Sequence, residues 1–293
     1  MSVVEKAIRK LQDQKQLPGE APFPVVRTTQ PERRAADQTA DAVTPLTLLP
    51  IALDRGTLRA AGLLPPESDA NMLARQYRKI KHPLIAQAMG RGVPRAPKGY
   101  LIMIASAMPG EGKSFTAVNL ALSLALEKDI RVLLVDADVA KPQLSHVLGL
   151  EKEQGLLDAL REPHLDVETL VRATDVPTLS FLPAGIGSDE ATELLSSSRM
   201  EQLAERFGES DERRIVVFDS PPLLQTTESP ALARIAGQIV VVVRAESTPQ
   251  PVLLDALESL GDHPAVSLVL NQSTQTVSSS YYYYGYGGDS AEK

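Results

Sequence analysis

The chain has no cysteine and no tryptophan, and aromatic residues fill only 4% of its 293 positions. The missing thiols exclude disulfides and cysteine-ligated metal sites. The missing rings leave the core to Leu, Val, Ile and Ala, and a hydrophobic content of 43% makes that core sizeable. No run approaches the roughly 18 apolar residues that a membrane-spanning helix needs. Nor does the N-terminus read as a secretory leader, because Glu5, Lys6, Arg9, Lys10 and Asp13 fall where an apolar stretch should lie. These absences predict a cytoplasmic protein. A net charge of −7 gives no reason to expect a nucleic-acid partner.

Charge is unevenly spread. Residues 1–100 hold 16 basic and 9 acidic side chains, whereas residues 101–293 hold 14 and 28. Arg75, Arg78, Lys79, Lys81, Arg91, Arg95 and Lys98 follow one another with no acid between them. Such a run reads either as a solvated helix and connector or as a surface for anionic lipid or an acidic partner.

The chain divides into five segments. Residues 1–17 read as an amphipathic helix, with Val4, Ala7, Ile8 and Leu11 on one face. Residues 18–50 form a linker, because Pro18, Pro22, Pro24, Pro31, Pro45 and Pro50 discourage regular structure. Residues 51–98 form a small helical and basic segment, with one helix over Ala70 to Gln87.

Residues 99–272 form the main domain. There the apolar runs Leu101–Ala105, Val132–Val135, Leu179–Leu182, Ile215–Phe218, Ile239–Val243 and Val266–Leu270 alternate with helical stretches. Runs without polar alternation are how strands buried on both faces read. Their alternation with helices predicts an α/β fold, a mostly parallel sheet sandwiched by helices. Residues 273–293 form a Tyr-rich tail in which no period organises the side chains, and disorder is expected there. Five of the seven tyrosines lie in it: Tyr281, Tyr282, Tyr283, Tyr284 and Tyr286.

Ala107-Met108-Pro109-Gly110-Glu111-Gly112-Lys113-Ser114 follows the first strand and opens the first helix of that domain. It is a phosphate loop of the form G-x-x-x-x-G-K-[ST], with Ala107 in place of the first glycine. Glycines let backbone N–H groups turn inward around an anion, and the helix start adds its unpaired donors. Lys113 is expected on the β and γ phosphates and Ser114 on Mg²⁺. Nucleotide contacts are expected from Pro109, Gly110, Glu111, Gly112, Lys113, Ser114 and Phe115. Asn71, Asn119 and Asn271 are the only asparagines, and none precedes a lysine as a guanine-reading element would require. ATP is therefore favoured, with Asn271 as a candidate adenine contact or a plain turn residue.

Two further strand ends carry acids: Asp136-Ala137-Asp138 and Asp219-Ser220-Pro221-Pro222. In open α/β sheets, ligands bind at the carboxyl ends of strands. Asp136, Asp138 and Asp219 are therefore expected to converge with the phosphate loop, where one hydroxyl and one or two carboxylates would suffice for Mg²⁺, an ion that takes oxygen donors and keeps several waters. A carboxylate left over from the metal could orient or deprotonate an attacking hydroxyl. His82, His146, His164 and His263 form no ligand-spaced pair and receive no role.

The Pro-Gly-Glu-Gly-Lys-Ser core, the two acidic strand ends and the tyrosine tail together resemble bacterial tyrosine autokinases of exopolysaccharide and capsule synthesis. These are related to MinD/ParA-type P-loop ATPases. The N-terminal segment and Pro-rich linker resemble the soluble, exosortase-associated members. The resemblance implies the P-loop NTPase fold and Mg-ATP-dependent phosphorylation of the tail tyrosines in trans, and so a homo-oligomer. Residue by residue, it implies that Lys113 stabilises phosphate charge, that Ser114 and Asp136 hold Mg²⁺ directly or through water, that Asp219 completes the metal shell, and that Asp136 or Asp138 activates the tyrosine hydroxyl. Lys113, Asp136 and Asp138 are then the catalytic candidates. It also implies a separate membrane adaptor that sets chain length, other phosphorylated biosynthetic proteins, and residence at the inner face of the membrane through that adaptor. Two positions depart from the family pattern. Ala140 stands where an arginine is frequent, and Arg75 to Lys81 lacks the acid of the Glu-x-x-Arg-x-x-Arg ring helix. The alternative reading is a positioning ATPase that uses water as acceptor.

Overall fold

A computed structural model describes residues 49–273. The N-terminal helix, nearly all of the Pro-rich linker and the tyrosine tail lie outside those residues. The helices are α1 (Arg55–Ala60), α2 (Ala70–Met89), α3 (Lys113–Leu124), α4 (Gln143–Val147), α5 (Leu156–Arg161), α6 (Ala191–Leu195), α7 (Ser198–Glu209), α8 (Glu228–Ile235) and α9 (Gln250–Glu258). The strands are β1 (Leu101–Ser106), β2 (Arg131–Asp136), β3 (Arg172–Ala173), β4 (Leu179–Leu182), β5 (Arg214–Asp219), β6 (Gln238–Arg244) and β7 (Val266–Asn271). They form one sheet in the order β3-β4-β2-β5-β1-β6-β7. Every pairing is parallel except that of β3 with β4.

The apolar runs explain this sheet. Every residue of β1 is buried, and successive side chains of a strand point to opposite faces. Leu101, Met103 and Ala105 pack with α5, α7 and α8, through residues such as Leu160, Phe207 and Leu232. Ile102 and Ile104 pack on the other face with α2 and α3, through Tyr77, Leu84, Leu120 and Leu124. A chain poor in rings thus fills both layers mainly with branched aliphatic residues, each contributing roughly 1.5–3 kcal/mol when fully buried.

Residues 51–98 pack into the same core. Ile51 bridges to Thr174, and the Asp54 side chain caps α1 by accepting the N–H groups of Gly56 and Thr57. Helix α2 continues past Pro83 and ends at Gly90, whose φ of 68° supplies the left-handed C-cap. Not all of the basic run is solvated. Lys81 is buried, donates to the Ser123 carbonyl at 2.6 Å and pairs with Glu127 at 2.9 Å, which fastens α2 to the end of α3. Arg75, Arg78, Lys79, Arg91 and Arg95 are exposed.

Because β1, β2, β5, β6 and β7 are mutually parallel, their C-terminal ends Ser106, Asp136, Asp219, Arg244 and Asn271 share one edge of the sheet. That edge carries the candidate site.

Candidate functional site

The loop between β1 and α3 turns on two glycines with left-handed backbone, Gly110 at φ 79° and Gly112 at φ 97°. A Cβ at Gly112 would also lie 2.0 Å from the Asn271 side-chain nitrogen. Ala107, in the first position of the motif, is buried. Lys113 opens α3 and is itself buried, with Ser114 beside it half-buried.

Asp136 and Asp219 are register partners on adjacent strands, and both are buried. Asp136 Oδ2 accepts the backbone N–H and the hydroxyl of Ser145, each at 2.8 Å, while its Oδ1 has no partner. Neither carboxylate oxygen of Asp219 has a hydrogen-bond partner of ordinary geometry. Burial raises the pKa of Asp219 above the usual carboxylate range, and the neighbouring Asp136 raises it further. The Ser114 hydroxyl and Lys113 ammonium offset part of that rise. Burial likewise raises Asp136, against the lowering effect of Ser145.

Asp138 differs from both. It is half-buried, accepts the Lys141 N–H at 3.3 Å, and has its pKa raised by burial against the opposing charge of Lys113. A cleft of about 710 Å³ opens over it, lined by Gly110, Lys113, Ser114 and Asp138 on one side and by Lys141, His146 and Gln225 on others. The apolar cavity of about 20 Å³ between Leu58, Leu144 and Phe181 has no such polar lining and is a packing void.

The structure therefore gathers Pro109, Gly110, Lys113, Ser114 and Asp138 along one cleft, with Asp136 and Asp219 on neighbouring strand ends. Glu111, Gly112, Phe115 and Asn271, expected as nucleotide contacts, do not line the cleft. The Asn271 amide donates to the Glu111 carbonyl at 2.9 Å, and the Glu111 side chain is buried. The tail tyrosines are outside the described residues. Sequence reasoning missed Ser145, which holds Asp136, because it sits nine residues away in a helix too short to show a period. It also assigned nothing to His146, which lines the cleft.

Two carboxylates and one hydroxyl suit Mg²⁺. A hard ion of this kind takes few protein oxygens and keeps several waters and phosphate oxygens. The three unpartnered carboxylate oxygens are the observation that favours it, since a buried oxygen without a donor is costly unless a cation supplies the missing charge. Among the described residues no cluster of three or more His, Asp or Glu is placed to hold a metal ion by itself.

Comparison with known proteins agrees with this geometry. Residues 99–258, more than half of the chain, match the family model described as an AAA domain. The chain is 31% identical over 235 residues to the tyrosine-protein kinase YwqD of Bacillus subtilis, covering 79% of this chain and 94% of that one. It is 34% identical over 187 residues to the putative tyrosine-protein kinase EpsB of Ralstonia nicotianae, and there it spans only 24% of the relative's length. Among solved structures, the VpsO kinase domain superposes with a TM-score of 0.57 at 26% identity, covering 70% of this chain and 98% of that domain. With 31% identity over 94% of one such kinase and the AAA-domain model matched over residues 99–258, the chain belongs to the bacterial tyrosine-protein kinases, within the AAA-domain P-loop fold.

Proposed function

We propose that this protein transfers the γ-phosphoryl group of ATP to tyrosines of its own C-terminal segment, in trans between copies. The observation that carries this reading is the set of unpartnered, buried oxygens of Asp136 and Asp219 at the strand edge that also holds Lys113 and Ser114. Such a set is complete only when a cation and a phosphate group join it.

The residues divide the work. The backbone donors of 109–114 and the Lys113 ammonium hold the terminal phosphates and take up the charge that develops as the β–γ bond breaks. Ser114, Asp136 and Asp219 would hold Mg²⁺, which neutralises charge on the phosphate oxygens when bound. Asp138 is the better placed of the two candidate bases. It lines the open cleft, whereas Asp136 is buried with one oxygen committed to Ser145. A phenol with pKa near 10 needs such a neighbour at neutral pH. Its oxygen forms the new P–O bond, its proton passes to the Asp138 carboxylate, and ADP leaves.

The acceptors would be Tyr281, Tyr282, Tyr283, Tyr284 and Tyr286 of a second copy. No described helix is long and apolar enough to cross a membrane. A separate membrane adaptor that sets polysaccharide chain length would place the kinase at the inner membrane face. Asn271, its amide occupied by Glu111, would meet adenine only through its remaining polar atoms.

The test is incubation of purified chain with Mg-ATP, followed by anti-phosphotyrosine detection and mass spectrometry. Mass gain of 80 Da steps on the tail is expected (about the mass of one phosphoryl group each), and loss of at least about 100-fold in Lys113→Met. Release of free phosphate with an unmodified tail would refute tyrosine transfer and leave a positioning ATPase.

A further inference from the structure

The phosphate loop is anchored by an acid of its own. Glu111 is only 3% exposed, and its two carboxylate oxygens have different partners. Oε2 accepts the Met108 N–H at 2.8 Å. Oε1 accepts the Thr248 hydroxyl, and Thr248 Oγ1 in turn accepts the Arg244 N–H at 3.1 Å. The Glu111 carbonyl accepts the Asn271 amide at 2.9 Å. Thr248 lies in the loop after β6 and Asn271 ends β7, and those strands are joined there by Ala245 N–H to the Asn271 carbonyl at 2.9 Å. One loop residue is thus held by side chain and main chain from two strands.

A buried acid in a loop that must receive polyphosphate is electrostatically adverse. What it supplies is order. The glycines of this loop allow many backbone states, and each must be given up on binding unless the loop is already fixed.

We infer that Glu111 and Thr248 are positioning residues that hold the phosphate loop in its nucleotide-binding form before ATP arrives, an inference that rests on reading residues 107–114 as the ATP phosphate site. Their role is to fix the loop through each other.

The experiment is calorimetric titration of the full chain with Mg-ATP, with thermal melts in its absence and phosphotyrosine kinetics alongside. Thr248→Val should weaken Mg-ATP binding about tenfold, the equivalent of one lost charge-assisted hydrogen bond. Thr248→Ser, which keeps the hydroxyl, should stay within about twofold. Glu111→Ala should weaken it further, and Glu111→Gln should recover part of the loss. KM for ATP should rise in parallel, with kcat changed far less. A lower melting temperature of Thr248→Val with unchanged Mg-ATP affinity would mean a purely structural contact and overturn the inference. So would equal weakening by serine and valine. If Glu111→Ala does not fold, the threonine pair decides alone. A chain that binds ATP and shows the serine–valine contrast, yet forms no phosphotyrosine, upholds the anchor and overturns the kinase reading. Absence of Mg-ATP binding by the unaltered chain overturns both.

Discussion

Asp219→Asn should make the protein more stable and less useful. In the absence of a divalent cation, burial and Asp136 push the Asp219 carboxyl from 3.8 up to about 8. Between those values the folded chain keeps a proton that the unfolded chain has released. Unfolding free energy therefore falls as pH rises through that window, and the cost is complete above the folded value. At about 1.4 kcal/mol for each tenfold change in acidity, the cost is capped at about 6 kcal/mol. Rearrangement and water entering from the adjoining cleft reduce it to on the order of 2 kcal/mol. Asparagine has the same shape and no charge to bury. Its melting temperature in chelator should exceed the parent's by about 4–6 °C at pH 8.5 and by little at pH 5. Mg²⁺ should raise the parent more than the variant and narrow the gap, while phosphotyrosine formation by the variant is lost. Scanning calorimetry across pH, with and without Mg²⁺, reads all of this. A variant no more stable than the parent at pH 8.5, or a gap that ignores pH, would refute the claim that Asp219 is a buried charge awaiting a cation.

Removing part of the support of the other acid should act through the metal. Ser145→Ala removes the hydroxyl that donates to Asp136 Oδ2 and leaves only the backbone N–H of residue 145, and apparent Mg²⁺ affinity in the kinase assay should fall about tenfold, as for other groups that orient a ligand. Away from the site, Lys81→Ala removes the tie between α2 and α3, and denaturant titration should show a loss of about 2 kcal/mol with Mg-ATP affinity unchanged.

The sequence alone announced β1, the phosphate loop and the start of α3, because glycine, lysine and serine at fixed spacing after an apolar run are a local signature with a local cause. The same holds for β1, β2, β4, β5 and β6, whose apolar runs were located to within a residue or two at each end because burial removes the polar alternation of an exposed strand. The run of β7 was located as closely, but β7 is an edge strand with Leu268 and Leu270 exposed, so burial on both faces, expected from its apolar run, is not what the fold gives it. Short elements were invisible. β3, α4 and α6 have two to five residues, too few for any period to emerge.

What only tertiary structure decided were pairings between distant residues. The strand order beside β1 set Asp136 against Asp219 rather than elsewhere along the edge. Folding turned Lys81 inward from a run of cations that composition alone would have left in water. It also joined Glu111 to Thr248 across 137 residues of chain. Such meetings depend on how layers stack, and stacking is a property of the whole apolar surface at once, so no window along the chain contains it.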